Sequence, residues 1–175
     1  MTARPADIDI AIRRYQAADS GLSGESADKV EAIRQLEQYM THPDAESFLV
    51  SVLRDPEAYD LARVEICKVL QAWSTGAHGE RYASALVALL ESEDDTLIRQ
   101  WAANALRAFR DRPAVIRTLV AKLADATEDP DVRHNALASL RGATIGPAER
   151  KVLESVVADP QIGREVTTLL RLPVP

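Results

Sequence analysis

A small or apolar residue followed four positions later by an aliphatic one recurs along the chain as Ala32-Leu36, Ile66-Leu70, Ala102-Leu106, Ala136-Leu140 and Val166-Leu170. The leucines lie 34, 36, 34 and 30 residues apart. Such a period belongs to stacked helical repeats, because one unit cannot bury its own apolar stripe and must lean on its neighbours. A second series trails the first four leucines by 13, 16, 13 and 13 residues: Leu49-Leu53, Leu86-Leu90, Leu119-Leu123 and Leu153-Val157. Residues four apart share a helical face, so each unit is expected to hold two amphipathic helices, A then B, antiparallel across a short turn. The pattern predicts helices over 6–18, 27–40, 44–54, 57–73, 79–91, 95–110, 113–124, 131–141, 147–158 and 160–171.

Turn chemistry punctuates this pattern. Asp55-Pro56, Asp94-Asp95, Asp129-Pro130 and Asp159-Pro160 stand before A helices, where Asp can accept from free N-terminal amides and Pro is pre-set for the first turn. Pro43, Pro113 and Pro147 open B helices in the same way. The first helix, with Ile8, Ile12 and Tyr15 on one side, is set off by the turn-forming run Asp19-Ser-Gly-Leu-Ser-Gly24 and is expected to cover the first repeat's apolar face. The last A-like helix has no B helix after it, and Leu172-Pro-Val-Pro175 ends the run. The expected fold is all-α: a right-handed α-α superhelix of about four to five two-helix repeats with an N-terminal capping helix. Residues 1–175 then form one domain, with cap and turn over 1–24, repeats over 27–54, 55–92, 93–127 and 128–158, and a half-repeat and tail over 159–175.

Composition narrows the function classes. With 46% hydrophobic and 27% charged residues the chain is an ordinary soluble sequence, long enough to bury about 70% of its unfolded surface without metal or disulfide. A net charge of −6 disfavours binding to a phosphate backbone and makes a basic or neutral partner the more natural one. Cys67 is the lone cysteine, the N-terminal residues lack a signal-peptide core, and no run approaches the roughly 18 apolar residues of a membrane span. A cytoplasmic location is expected. His42, His78 and His134 are far apart, no metal-ligand spacing or phosphate loop occurs, and neither a cofactor nor a catalytic constellation is expected.

The stretches Glu93-Asp-Asp-Thr-Leu-Ile-Arg-Gln-Trp-Ala-Ala-Asn-Ala-Leu106 and Glu128-Asp-Pro-Asp-Val-Arg-His-Asn-Ala-Leu-Ala-Ser-Leu140, with Asp55-Pro56, Arg63, Ile66 and Leu70 as a third match, resemble the HEAT-repeat family of two-helix solenoids. The resemblance spans about residues 27 to 171 and implies scaffolding and partner recognition. The first repeat departs from it with Lys29 at the arginine position, and the last with Gly163. Short bacterial repeats of this type also resemble those of bilin lyases, which act on tetrapyrroles.

Several residues stand out against the repeat. Lys29, Arg63, Arg99 and Arg133 form a basic column that either binds an anion or, as the family pattern implies, pairs with turn aspartates such as Asp129 along the stack. Trp101 sits where other repeats have Glu31, Glu65 and Asn135, so it is either an exposed anchor or a filler between A helices. Lys122 replaces the apolar Val52, Leu89 and Val156, and with Arg117 it could hold a partner's acid or simply reach water over an apolar stem. Three extra residues fall at Ser74-Thr-Gly-Ala-His-Gly-Glu80, which makes His78, Arg81 and Tyr82 candidates for a recognition edge. The clusters 91–95 and 125–131 should align as an acidic edge that attracts basic proteins, unless they serve only as caps. Cys67 sits on an apolar run and reads as a buried thiol. The chain is therefore expected to be a non-enzymatic protein-interaction or scaffold module that uses its B-helix surface and adjacent turns. An enzyme subunit resembling bilin lyases and an acidic inhibitor or immunity-type protein are alternatives, and DNA binding of the alkylpurine-glycosylase kind is less favoured.

Overall fold

In the computed structural model, which describes residues 5–18, 25–73, 79–92 and 95–171, the chain is all-helical, and no strand occurs among the described residues. The A helices are α2 (Glu25–Leu36), α4 (Asp60–Ala72), α6 (Thr96–Ala105), α8 (Pro130–Leu140) and α10 (Gly163–Arg171). The B helices are α3 (Pro43–Arg54), α5 (Glu80–Ser92), α7 (Pro113–Ala124) and α9 (Pro147–Ser155), and α1 (Ala6–Ala17) precedes them all. Along the A row α2 packs on α4, α4 on α6 and α6 on α8, while α3, α5, α7 and α9 pack in order along the B row. This is a helical solenoid, with residues about three dozen apart as stacked neighbours.

Between the rows, each B helix packs against the A helix that follows it in the chain: α3 on α4, α5 on α6, α7 on α8 and α9 on α10. The first helix stands where a B helix would, since α1 packs on α2 and also touches α3. Ile8, Ala11 and Tyr15 are the buried side of α1, and the Tyr15 ring meets Phe48 of α3 edge-on at 5.2 Å. Leu36, Leu70, Leu106 and Leu140 are fully buried, as are Leu53, Leu86, Leu90, Leu119 and Leu123. Deleting any one of these side chains would leave a cavity worth about 2–5 kcal/mol.

The helix ends follow the turn chemistry with informative exceptions. Asp95 accepts from the Ile98 amide at 3.2 Å, and Asp129 accepts from Asp131 and Val132 at 2.9 and 3.3 Å, so both cap A helices. Asp55 does not. It closes a turn by accepting from the Glu57 amide at 3.0 Å, as Asp125 does from Thr127 at 2.8 Å, and α4 starts only at Asp60 with Tyr59 at its cap position. Asp55 is thus the counterpart of Asp125, four residues before the position that Asp129 fills. The A helices α2 and α6 end earlier than periodicity suggests and tighten into 3₁₀ turns, Glu37–Tyr39 and Leu106–Phe109, which shorten the path to the next B helix.

The last unit is the compressed one. The α9 helix stops at Ser155 rather than 158, Val157 is exposed rather than core, and α10 starts at Gly163 rather than 160. Asp159 does two jobs in the space saved. It follows α9 as Asp125 follows α7, and it accepts from Gln161 and Ile162 amides at 2.8 and 3.3 Å as Asp129 does for α8. This merger accounts for the 30-residue final spacing.

Candidate interaction surfaces

The A row is stitched by polar contacts between successive helices. Arg34 of α2 pairs with Glu65 of α4 at 2.6 Å, Ser139 of α8 donates to Ala103 O of α6 at 2.8 Å, and Asn135 donates to Gln100 O at 3.4 Å. The basic column lies just behind this surface. Arg99 donates to Glu128 from Nε and Nη2 at 3.2 and 2.9 Å. Arg133, only 2% exposed, donates to Leu123 O at 3.0 Å, Gln161 at 2.9 Å and Asp159 at 2.6 Å. Arg63 lies 3.6 Å from Asp60, and its counterpart turn at Glu93 and Asp94 falls outside the described residues. Lys29 departs from the column and lies over the Tyr15 ring at 4.7 Å. Asp129 is a cap that also accepts from Gln100 at 3.4 Å; it takes no arginine in the described contacts.

Lys122 belongs to this same network. Its Nζ sits 2.9 Å from Glu128 Oε2, opposite Arg99, so the charge that interrupts the apolar register of α7 completes a half-buried three-group cluster. Burial pushes the Glu128 carboxyl up, but hydrogen bonds from Lys122, the Asp129 amide and Arg99 outweigh it and hold the group below its ordinary value. Asp159 is held low mainly by its hydrogen bond from Arg133, and Asp125 by the hydroxyl and amide of Thr127. A group whose native value is depressed stabilises the fold above its unfolded value, and that stabilisation is lost as pH falls through the native one. Urea-unfolding midpoints should therefore hold steady from pH 7 down to about 5.5 and decline below about 4.5. Glu128→Gln should be weaker than the parent at pH 7, with the gap closing by about pH 3; a gap independent of pH would show that the carboxylate charge is not what Arg99 and Lys122 require.

The remaining candidates divide between core and surface. Tyr82 is fully buried, donates to Met40 O at 3.2 Å and meets Trp73 edge-on at 5.6 Å, so it is a packing residue and not a contact for a partner. Sequence reasoning missed this because a tyrosine at the start of a helix beside an insertion resembles a surface residue. Its neighbour Arg81 is half exposed and lies 3.5 Å from Glu46. His78 and the rest of the run 74–78 lie outside the described residues. Gly79 closes that run at φ +95°, and a Cβ there would stand 2.8 Å from the Phe109 ring, so the turn's end is anchored against the core. Arg117 is exposed on α7 with no hydrogen bond or ion pair among the described residues, and Lys151 repeats it on α9.

Trp101 lies on the A row, away from Arg117 and Lys122, half-buried against α4 with Lys68 Nζ 5.1 Å above its ring. Open clefts flank the A row at both ends: about 440 Å³ between α2 and α4, lined by Arg34, Gln38, Val69 and Trp73, and about 310 Å³ between α8 and α10, lined by Arg141, Arg164 and Leu169. Among the described residues no group of His, Cys, Asp or Glu is placed to hold a metal. Cys67 is fully buried and its thiol is pushed up to about 12 by burial, so it stays protonated and unreactive at neutral pH. No described helix is long and apolar enough to cross a membrane.

The HEAT-repeat description matches the chain over residues 16–107 and again over 83–169. The chain belongs to the HEAT-repeat family. HEAT repeats are generally protein-interaction or scaffold modules, and the family is typically non-enzymatic. Neither the curated proteins nor the solved structures include a match to this HEAT chain.

Proposed function

We propose that this HEAT module is a non-enzymatic interaction or scaffold protein that binds a partner protein along its B-helix row and the adjacent turns. The supporting observation is the pair Arg117 and Lys151, exposed and unengaged at the same register of adjacent B helices. By contrast, the charges of the A–B junctions are spent within the stack on Glu128, Asp159 and the caps. A stack of repeats offers a continuous side in place of a closed pocket, which suits recognition of an extended or helical partner. On α3 and α5 the carboxylates that a basic partner would use are engaged within the stack: Glu46 with Arg81, Glu80 with Arg112 and Glu91 with Thr118. Arg117 and Lys151 favour an acidic protein segment at α7 and α9.

Affinity capture from the source organism's lysate, with the immobilised full chain as bait and mass spectrometry as readout, tests this reading. The double variant Arg117→Glu, Lys151→Glu should retain its fold and lose the captured protein. Capture that is unaffected by the double variant would place binding elsewhere. Recovery of nucleic acid in place of protein would overturn the reading altogether.

A further inference from the structure

The start of the A helices breaks the repeat's own rules in the middle of the stack. Aspartate caps α6 and α8, yet the equivalent position on α4 is Tyr59, which provides no side-chain cap. Two residues further on, α8 has Asp131 while α4 and α6 have Leu61 and Leu97, which are 48% and 45% exposed. One turn beyond that, α8 has Asn135 while α6 has Trp101. Since α4 packs on α6 and α6 on α8, these equivalent positions lie side by side along the row, about 10 Å from step to step. Tyr59, Leu61, Leu97 and Trp101 thereby form one apolar patch confined to two neighbouring repeats. Apolar residues at cap and first-turn positions forgo stabilising polar contacts, and clusters of such departures mark function.

The charges around the patch favour one kind of occupant. Glu57 and Asp131 are exposed carboxylates at its rim, and Asp60, also exposed, lies 3.6 Å from the buried Arg63. Lys68 is the nearby cation, and it is already paired with Glu65 at 3.6 Å while it covers the Trp101 face. That contact shows that the ring face accepts a cation, and an arginine or lysine from outside could take the place of Lys68. We propose that the A-helix face at Leu61, Leu97 and Trp101 docks a short basic segment of another protein, with aliphatic side chains on the leucines and lysine or arginine on the acidic rim. This goes beyond the B-row reading and does not depend on it. The patch lies on A helices and Arg117 and Lys151 on B helices, so both together would let the module bridge an acidic and a basic partner.

The test uses the full chain, ¹⁵N-labelled, titrated with a short amphipathic peptide of leucine and lysine in physiological salt. Amide shifts should gather at Leu61, Leu97 and Trp101. A peptide with serine replacing leucine, or glutamate replacing lysine, should bind roughly tenfold weaker or less. Leu61→Ser, Leu97→Ser should weaken binding to the same degree while the melting temperature stays unchanged, as both side chains are exposed. The Arg117→Glu, Lys151→Glu protein should bind the peptide as the parent does, which keeps failure here separate from failure of the B-row reading. Shifts scattered over acidic residues elsewhere, or equal binding by the Leu61→Ser, Leu97→Ser protein, would overturn the proposal.

Discussion

Replacing Arg133 by alanine should lower the stability of the chain by about 3–5 kcal/mol, because a buried guanidinium that serves several acceptors is removed together with the packing of its stem. From α8 the group reaches two further segments: Leu123 O at the end of α7, and Gln161 and Asp159 in the turn ahead of α10. Without it the Leu123 carbonyl is left in a fully buried surrounding with one acceptor site unmet. Arg133→Lys should recover only part of the loss, as one ammonium cannot reach partners that a planar fork spans. Arg99→Ala should cost less, since Lys122 still holds Glu128 and Arg99 retains some exposure. Urea denaturation at pH 7 ranks the three. An Arg133→Ala protein within about 1 kcal/mol of the parent, the range of an exposed pair, would mean that the junction is held by its apolar contacts alone.

The architecture was legible in the sequence because burial in a solenoid follows a period, and Leu36, Leu70, Leu106 and Leu140 keep that period to full burial. Register was harder, since Asp55-Pro56 and Asp129-Pro130 look alike in sequence while occupying positions four residues apart in the repeat. The distance from each Asp to the repeating leucine of the A helix tells them apart: 15 residues from Asp55 to Leu70 but 11 from Asp129 to Leu140. The same arithmetic gives 11 from Asp159 to Leu170, a signal that its turn has lost four residues. The engagement of charges was not legible for a different reason. Glu128 counts toward the expected acidic edge, yet it is a half-buried partner of Arg99 and Lys122, and net charge says nothing about which carboxylates remain available. Trp101 was flagged by position alone. The patch proposed around it rests on the exposure of Leu61 and Leu97, two residues whose helical register looks unremarkable.

Gly163→Ala should have the second large effect, about 2–4 kcal/mol, through a forced separation of main chains. Gly163 occupies the place that Arg133 holds in the preceding repeat, but the shortened turn folds Val156 and Val157, just beyond α9, directly over it. A Cβ at this position would stand 2.3 Å from Val157 O and 2.8 Å from Val157 C. Both are backbone atoms that no rotamer change can move, so α10 must shift as a body. Because each unit of a solenoid touches only its neighbours, the damage should stay local: hydrogen exchange should accelerate across Gly163–Arg171 while α4 and α6 keep their protection. Arg133 closes the same junction through Asp159, four residues before the glycine. Removing both should therefore cost less than the sum of the single losses, since an α10 already displaced by Gly163→Ala no longer presents Asp159 and Gln161 to the guanidinium. Strict additivity in that double-mutant cycle would show that the two residues secure different parts of the stack, and that the merged turn at Asp159 is not the element joining α8 to α10.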